Sequence, residues 1–188
     1  MTDDDAQQAF RFDCGATWLN LLATRGQAFG ARPVERVATP ERLGEWLERS
    51  ELSPVRPPDE ADLRRARELR EILRPLALAT VAEEPPPADA LAALERFLSA
   101  TPDPVRLVPG DRLRREPPAT TAAALVRIAR QAVDHLAGPE RHALAVCPEH
   151  DCRGVFVNAG GRRRWCPSSA CASRGRVRAL RERRRVGE

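Results

Sequence analysis

The chain has 188 residues, 42% of them hydrophobic and 31% charged, which suits a globular protein with one medium domain and a smaller one. No apolar run approaches the roughly 20 residues of a membrane span, and the acidic start Met1-Thr2-Asp3-Asp4-Asp5 predicts no secretory signal. A cytoplasmic setting is expected, where paired cysteines bind metal more often than they form disulfides.

The net charge of +4 is unevenly placed. From Cys147 onward eleven arginines face four acidic residues, a surplus of seven that leaves residues 1–146 at −3. The chain contains no lysine, and its Ala, Arg and Pro content points to a GC-rich bacterial genome. The clustering of arginine, rather than its choice over lysine, therefore carries the argument.

In chain order, residues 1–9 read as disordered and Phe10-Arg11-Phe12 suits a short strand. Cys14 stands alone and reads as an inert, partly buried thiol. Residues 18–24 predict a short apolar helix ended by Arg25-Gly26. Thr39 and Pro40 begin a second helix as N-cap and first helical residue, with Leu43, Trp46 and Leu47 as its buried stripe. Residues 59–82 carry the longest helical pattern, through Leu63, Ala66, Leu69, Ile72, Leu73 and Leu76. Arg64, Arg65, Arg67 and Arg70 read there as a solvated face, and Pro75 is expected to kink or shorten the helix.

After Pro85-Pro86-Pro87, Asp89 is expected to cap a helix through Leu98, with Leu91, Leu94, Phe97 and Leu98 inward. Residues 105–108 and 112–115 flank Pro109-Gly110-Asp111 as a β-hairpin. Thr120 or Thr121 opens an apolar helix over residues 122–137 with Leu125, Ile128, Ala129, Ala132, Val133 and Leu136 inward. Gly138-Pro139 stops it, and residues 141–146 predict a strand. No Gly-rich phosphate loop is present. His135, His142 and His150 are dispersed, and no Ser/His/Asp or Cys/His arrangement follows from spacing.

The C-terminal stretch is the informative one. Cys147 and Cys152, then Cys166 and Cys171, form two C-x4-C pairs separated by thirteen residues. That pattern suits one structural Zn²⁺ held by four thiolates, with His150 as a weaker alternative ligand. Val155-Phe156-Val157 and residues 162–165 are expected to form a hairpin about the turn Asn158-Ala159-Gly160-Gly161. The arginine-rich tail beginning near Cys171 predicts a helix, with Val177 and Leu180 on its inner face. Such a unit is too small to bury a core without its metal. Trp165 reads as core rather than as a base-stacking residue.

These residues resemble the CGNR zinc finger, whose pattern is C-x4-C, an aromatic hairpin, basic residues, W-C-x4-C and then G-N-R. Here Trp165-Cys166 and Arg174 match, while Ala172 and Ser173 stand in place of Gly and Asn. The remainder resembles the ABATE domain of bacterial proteins named as stress-induced transcription regulators. Trp18-Leu19-Asn20-Leu21-Leu22-Ala23-Thr24 is similar to its signature C-L-D-F-V-N-T, with Asn20 in place of the acid and Ala23 in place of Asn.

The expected fold is α+β: a mainly helical N-terminal domain with short β-hairpins, residues 1–140, followed by a small treble-clef-like zinc finger, residues 141–188. The resemblance implies a zinc-dependent, DNA-binding transcription regulator with the N-terminal domain as sensor or partner surface. Arg162, Arg163, Arg164, Arg174, Arg178, Arg181 and Arg185 are the candidate DNA contacts, since guanidiniums supply phosphate affinity and read guanine edges. The alternative is a zinc-stabilised protein-interaction module that does not bind DNA, its finger taking an acidic protein partner of the transcription machinery such as a polymerase or sigma-like factor. An enzyme is not expected, because a zinc closed by four thiolates keeps no position for water.

Overall fold

A computed structural model describes residues 8–186; residues 1–7 of the stretch read as disordered lie outside it. The architecture is α+β, with short antiparallel strand pairs among helices. Packing groups the chain into two units. Residues 36–141 form one, and the other joins the described residues up to Glu35 with those from His142 onward. Residues 8–35, assigned along the sequence to the N-terminal module, thus pack with the C-terminal part of the chain.

The second unit begins with α1, Thr17–Leu22, and the strand pair β1, Arg25–Gly26, and β2, Val34–Glu35. No strand forms at residues 10–12. Phe10 and Phe12 instead meet edge to face, their ring centroids 6.1 Å apart.

The helical unit contains α2, Pro40–Arg49; α3, Glu60–Ala82; α4, Ala88–Ser99; and α5, Thr121–Ala137. Its helices start where local chemistry places them. The Thr39 hydroxyl accepts from the Arg42 N–H, and that of Thr120 accepts from the Ala123 N–H. Asp59 and Asp62 form a reciprocal capping box at α3. The Asp62 backbone N–H holds the Asp59 carboxyl below its usual range. Asp89 does not cap α4: Pro87 occupies the N-cap, and Asp89 lies in the first turn, where its charge suits the helix dipole.

The core of this unit forms where α3 packs on α2, α4 and α5, through Leu43, Trp46, Leu47, Leu63, Leu69, Leu73, Leu125 and Ile128. Pro75 does not shorten α3, which runs unbroken for 23 residues. Leu69, Leu73, Leu76 and Ala77 are buried on both sides of it, and their burial outweighs a lost helical hydrogen bond.

Three expectations of side-chain placement fail here. Leu91 is 42% exposed and Val133 36%. The arginines of α3 are not a uniformly solvated face. Arg70 is 3% exposed and paired with Glu71 at 3.0 Å. Arg67 donates to the Val37 and Ala38 carbonyls, and Arg65 lies 4.8 Å from the Phe97 ring centroid and donates to Thr101. Their long stems cover apolar surface while their heads tie loops to the helix.

The predicted hairpin forms as β3, Leu107–Val108, and β4, Arg114–Arg115. It is anchored through Asp103. This buried carboxylate accepts from Arg115, from Arg127 at 3.0 to 3.2 Å and from Arg130, while Arg127 also donates to the Glu116 carbonyl. A 3-10 turn, Pro139–Ala143, follows α5.

Candidate metal centre

The metal centre is built on strands β5, Leu144–Val146, and β6, Val155–Val157, and on helix α6, Ser169–Val186. β5 pairs antiparallel with β6 in the register Leu144↔Val157, Ala145↔Phe156 and Val146↔Val155. The ladder continues as the Cys147 N–H donates to the Gly154 carbonyl at 2.9 Å. The first cysteine pair therefore sits in the turn of the hairpin.

This corrects the expected pairing of residues 155–157 with residues 162–165. Val155-Phe156-Val157 is apolar and β-prone, but so is Leu144-Ala145-Val146, and a six-residue turn stapled by two thiolates closes that pair directly. Asn158 organises the other segment. Its side-chain oxygen accepts from the Arg163 N–H at 3.1 Å and its amide donates to the Arg163 carbonyl at 2.9 Å, closing a loop rather than a strand turn.

Cys171 lies in the first turn of α6, close to the predicted start, where the helix dipole favours a thiolate. Cys147 and Cys171 are buried, and Cys152 and Cys166 are partly so. The four sulfur atoms all lie within 4.8 Å of one another, and Cys152 Sγ is 3.8 Å from Cys166 Sγ. A tetrahedral zinc with Zn–S of about 2.3 Å requires S···S edges of about 3.8 Å. The donor set therefore fits one structural Zn²⁺ on Cys147, Cys152, Cys166 and Cys171. His150 is exposed and is not part of the cluster.

The thiols' own electrostatics pose the problem that a dication resolves. Hydrogen bonds from Cys152, then Cys166 and Cys171, pull the Cys147 thiol far below its ordinary range. Cys152 and Cys166 are pushed far above theirs, in each case foremost by Cys147. Four thiolates this close repel one another; a bound Zn²⁺ inverts that balance and holds all four ionised.

Around the ligands lies an ionic clamp. Glu149, between the first two cysteines, is 2% exposed, and its carbonyl accepts from the N–H groups of Cys152 and Arg153 at 2.9 Å. Its carboxylate receives Arg178 Nη2 at 2.6 Å, with Arg174 Nε at 3.8 Å. Arg174 Nη2 also reaches Asp151 at 3.3 Å and Cys171 Sγ at 3.6 Å. Two arginines one turn apart on α6 thus grip the acids of the zinc turn, and one of them touches a ligand sulfur.

Trp165 is half-buried. The Arg164 guanidinium carbon is 5.2 Å from its ring centroid, and a Cβ at Gly175 would overlap its indole. Glycine at residue 175 lets the indole lie directly against the helix backbone.

The N-terminal segment completes the unit, so the finger sequence does not supply the whole of it. The Val157 N–H donates to the Cys14 carbonyl at 2.9 Å, and the Cys14 N–H donates to the buried Asn20 side chain at 3.1 Å. Gly15, at φ +99°, approaches Val157 so closely that an added Cβ would lie 2.6 Å from its side chain. The Phe29 N–H donates to the Asp151 carbonyl at 3.0 Å, and Arg153 lies 5.2 Å from the Phe29 ring centroid. Cys14 is buried and separate from the metal ligands. The buried apolar residues of this unit include Trp18, Leu19, Leu21, Val155 and Phe156, so the metal does not act alone in holding it.

Of the seven arginines singled out in the sequence, Arg162, Arg163, Arg164, Arg181 and Arg185 are exposed. Arg174 and Arg178 are in the clamp. Val177 and Leu180, expected inward, are 46% and 51% exposed, because α6 turns the side bearing Cys171 and Gly175 toward the finger. Sequence reasoning missed Glu149, Asp151, Gly15 and Gly175. A signal existed for the first two: acids inside the first C-x4-C, matched by arginines four apart after the second.

The ABATE family, described as "Putative stress-induced transcription regulator", matches residues 15–139, and the CGNR zinc finger matches residues 143–184. Both are regulator or zinc-finger families. Among curated proteins none matches the chain. No helix of the described residues is long and apolar enough to cross a membrane. The chain belongs to the ABATE family and carries a CGNR zinc finger that binds one zinc ion through its four cysteines.

Proposed function

We propose that the protein is a zinc-dependent, DNA-binding transcription regulator of the bacterial cytoplasm. In this reading residues 141–188 are the module that contacts DNA, and residues 1–140 carry the sensor or partner surface. The observation that carries it is charge placement: the surplus of seven positive charges after Cys147 falls on an exposed arginine loop and on one helix.

Arg162, Arg163, Arg164, Arg181 and Arg185 are the most available phosphate contacts. Arg174 and Arg178 spend donors on Glu149 and Asp151 yet keep side-chain exposures of 36% and 54%. They would contribute to DNA contact while holding the helix in place. The zinc supplies structure rather than chemistry, since four thiolates complete its coordination.

The test is retardation of a mixed-sequence duplex by the full-length zinc protein across a salt series. Binding that neutralises five phosphates should fall with a slope near −4.5 in log–log form, from about 0.9 per phosphate. Replacing Arg162, Arg163 and Arg164 together by Gln should lower the slope by about 2 to 3 without changing zinc content. Failure to retard any duplex at low salt overturns the reading in favour of the zinc-stabilised protein-interaction module.

A further inference from the structure

Helix α6 divides its side chains between two tasks. Cys171 and Gly175 face the finger, and Arg174 and Arg178 beside them close onto Glu149 and Asp151. At 100° per residue, Ser173, Val177, Leu180 and Arg184 form a single stripe on the side away from Gly175. All four are exposed. Arg176 and Arg183 flank the stripe on one side and Arg181 and Arg185 on the other, and all are exposed as well.

Resting on the DNA-binding reading, we infer that this stripe is the base-reading surface of the finger. Val177 and Leu180 would meet thymine methyl groups on the floor of the major groove, while the flanking arginines take the phosphate walls. A protein partner fits less well, because two apolar side chains cover far less than the roughly 1,000 Å² that a specific interface buries. Their cationic flanks suit a surface charged along both edges, and an α-helix fills a major groove about 12 Å wide. The apolar pair is what makes the surface specific. Arginine on phosphate carries no sequence information, whereas a C5-methyl group distinguishes thymine from the other bases.

This inference also separates the roles of the arginines. Arg174 and Arg178 orient the helix through the zinc turn, Arg176, Arg181, Arg183 and Arg185 take the walls of the groove, and Arg184 lies with Val177 and Leu180 on its floor. Arg176, Arg183 and Arg184 are not among the contacts read from the sequence.

The test selects duplexes from a randomised 20-base-pair pool with the full-length protein, its zinc content verified, and with the double variant Val177→Ala, Leu180→Ala. The selected duplex is then measured with uracil in place of thymine, which removes only the methyl groups. Wild type should lose about fourfold in affinity per contacted methyl. The double variant should bind the thymine duplex more weakly and show no further loss with uracil, and its affinity for an unrelated duplex should stay within about twofold of wild type.

Equal uracil sensitivity in both proteins, or none in wild type, overturns the inference. Salt-dependent retardation with no sequence enriched from the pool overturns it too, while leaving the DNA-binding reading intact. Retardation of no duplex overturns both. A wild-type dimer in sedimentation that dissociates in the double variant assigns the stripe to self-association instead.

Discussion

The helical unit and the zinc-bearing unit solve the same problem with different resources. Residues 36–141 bury an apolar core between long helices whose ends are fixed by neighbouring residues, as at Thr39, Asp59 and Thr120. The unit formed by residues 8–35 and 142–186 has a two-residue and a three-residue strand pair, a six-residue helix and one long basic helix. It relies on a metal and on contacts between residues more than 100 positions apart, such as Cys14 with Val157. Local information makes a fold sturdy and easy to read. Non-local information makes it conditional, here on zinc and on its N-terminal segment.

The largest effect that separates the units is loss of the metal. Cys152→Ser or Cys166→Ser should abolish stoichiometric zinc binding. Apparent binding free energies for small structural zinc sites are about 10–16 kcal/mol, so the finger should lose its strand pair and the order of α6 while most of the helical circular dichroism persists. Full zinc occupancy in either variant would refute the ligand assignment. Acid should act in the same direction on wild type. Cys152 and Cys166 have thiol pKa values raised foremost by Cys147, so zinc must displace their protons. Affinity therefore rises with pH, and zinc is released as pH falls; the release is read by a chromogenic chelator.

Next in size is the ionic cluster around the buried Asp103 of the helical unit. Asp103→Ala leaves Arg127, 11% exposed at the side chain, with Arg115 and Arg130 and no carboxylate among them. Removing one partner from a buried ion pair costs about 3–5 kcal/mol. The expected result is a fall of at least about 12 °C in the melting of this unit, at roughly 4 °C per kcal/mol, with zinc content unchanged. A shift of under 2 °C would mean that the hairpin is not held through Asp103.

What could be read in advance follows the same division. Helix starts at Thr39 and Thr120 and the stripe of α3 are local patterns, and they appear where spacing places them. The four ligands were legible because cysteine pairs announce a metal through their spacing alone. The strand partner of residues 155–157 was not, since Leu144-Ala145-Val146 and Arg162-Arg163-Arg164-Trp165 both lie within reach and only closure of the cysteine turn decides between them. Arg70 read as a solvated charge although it is buried, and Asp103 went unnoticed because nothing in a single sequence reveals that Arg115, Arg127 and Arg130 converge on it from 12 or more residues away. Val177 and Leu180 misled for a related reason. An apolar pair on a basic helix marks a face, but not which way it turns.

The smallest of these effects tests whether the N-terminal segment belongs to the zinc unit energetically as well as in space. Gly15 has φ +99°, and any Cβ there meets Val157 at 2.6 Å. Gly15→Ala therefore incurs backbone strain of about 1–3 kcal/mol and pushes Cys14 away from the Val157 N–H. Val157 pairs with Leu144 at the end of the ladder that leads into Cys147, so the strain falls on the strands that carry the first two ligands. If zinc binds only the folded unit, each 1.4 kcal/mol lost weakens apparent zinc affinity about tenfold. Competition with a chelator of known affinity should show a loss of roughly 5- to 140-fold in a variant 132 residues from the nearest ligand, while thermal unfolding of the α3–α5 core stays as in wild type. Unchanged zinc affinity would mean that the finger folds on its own strands and metal, and that the contact between Cys14 and Val157 is proximity without coupling.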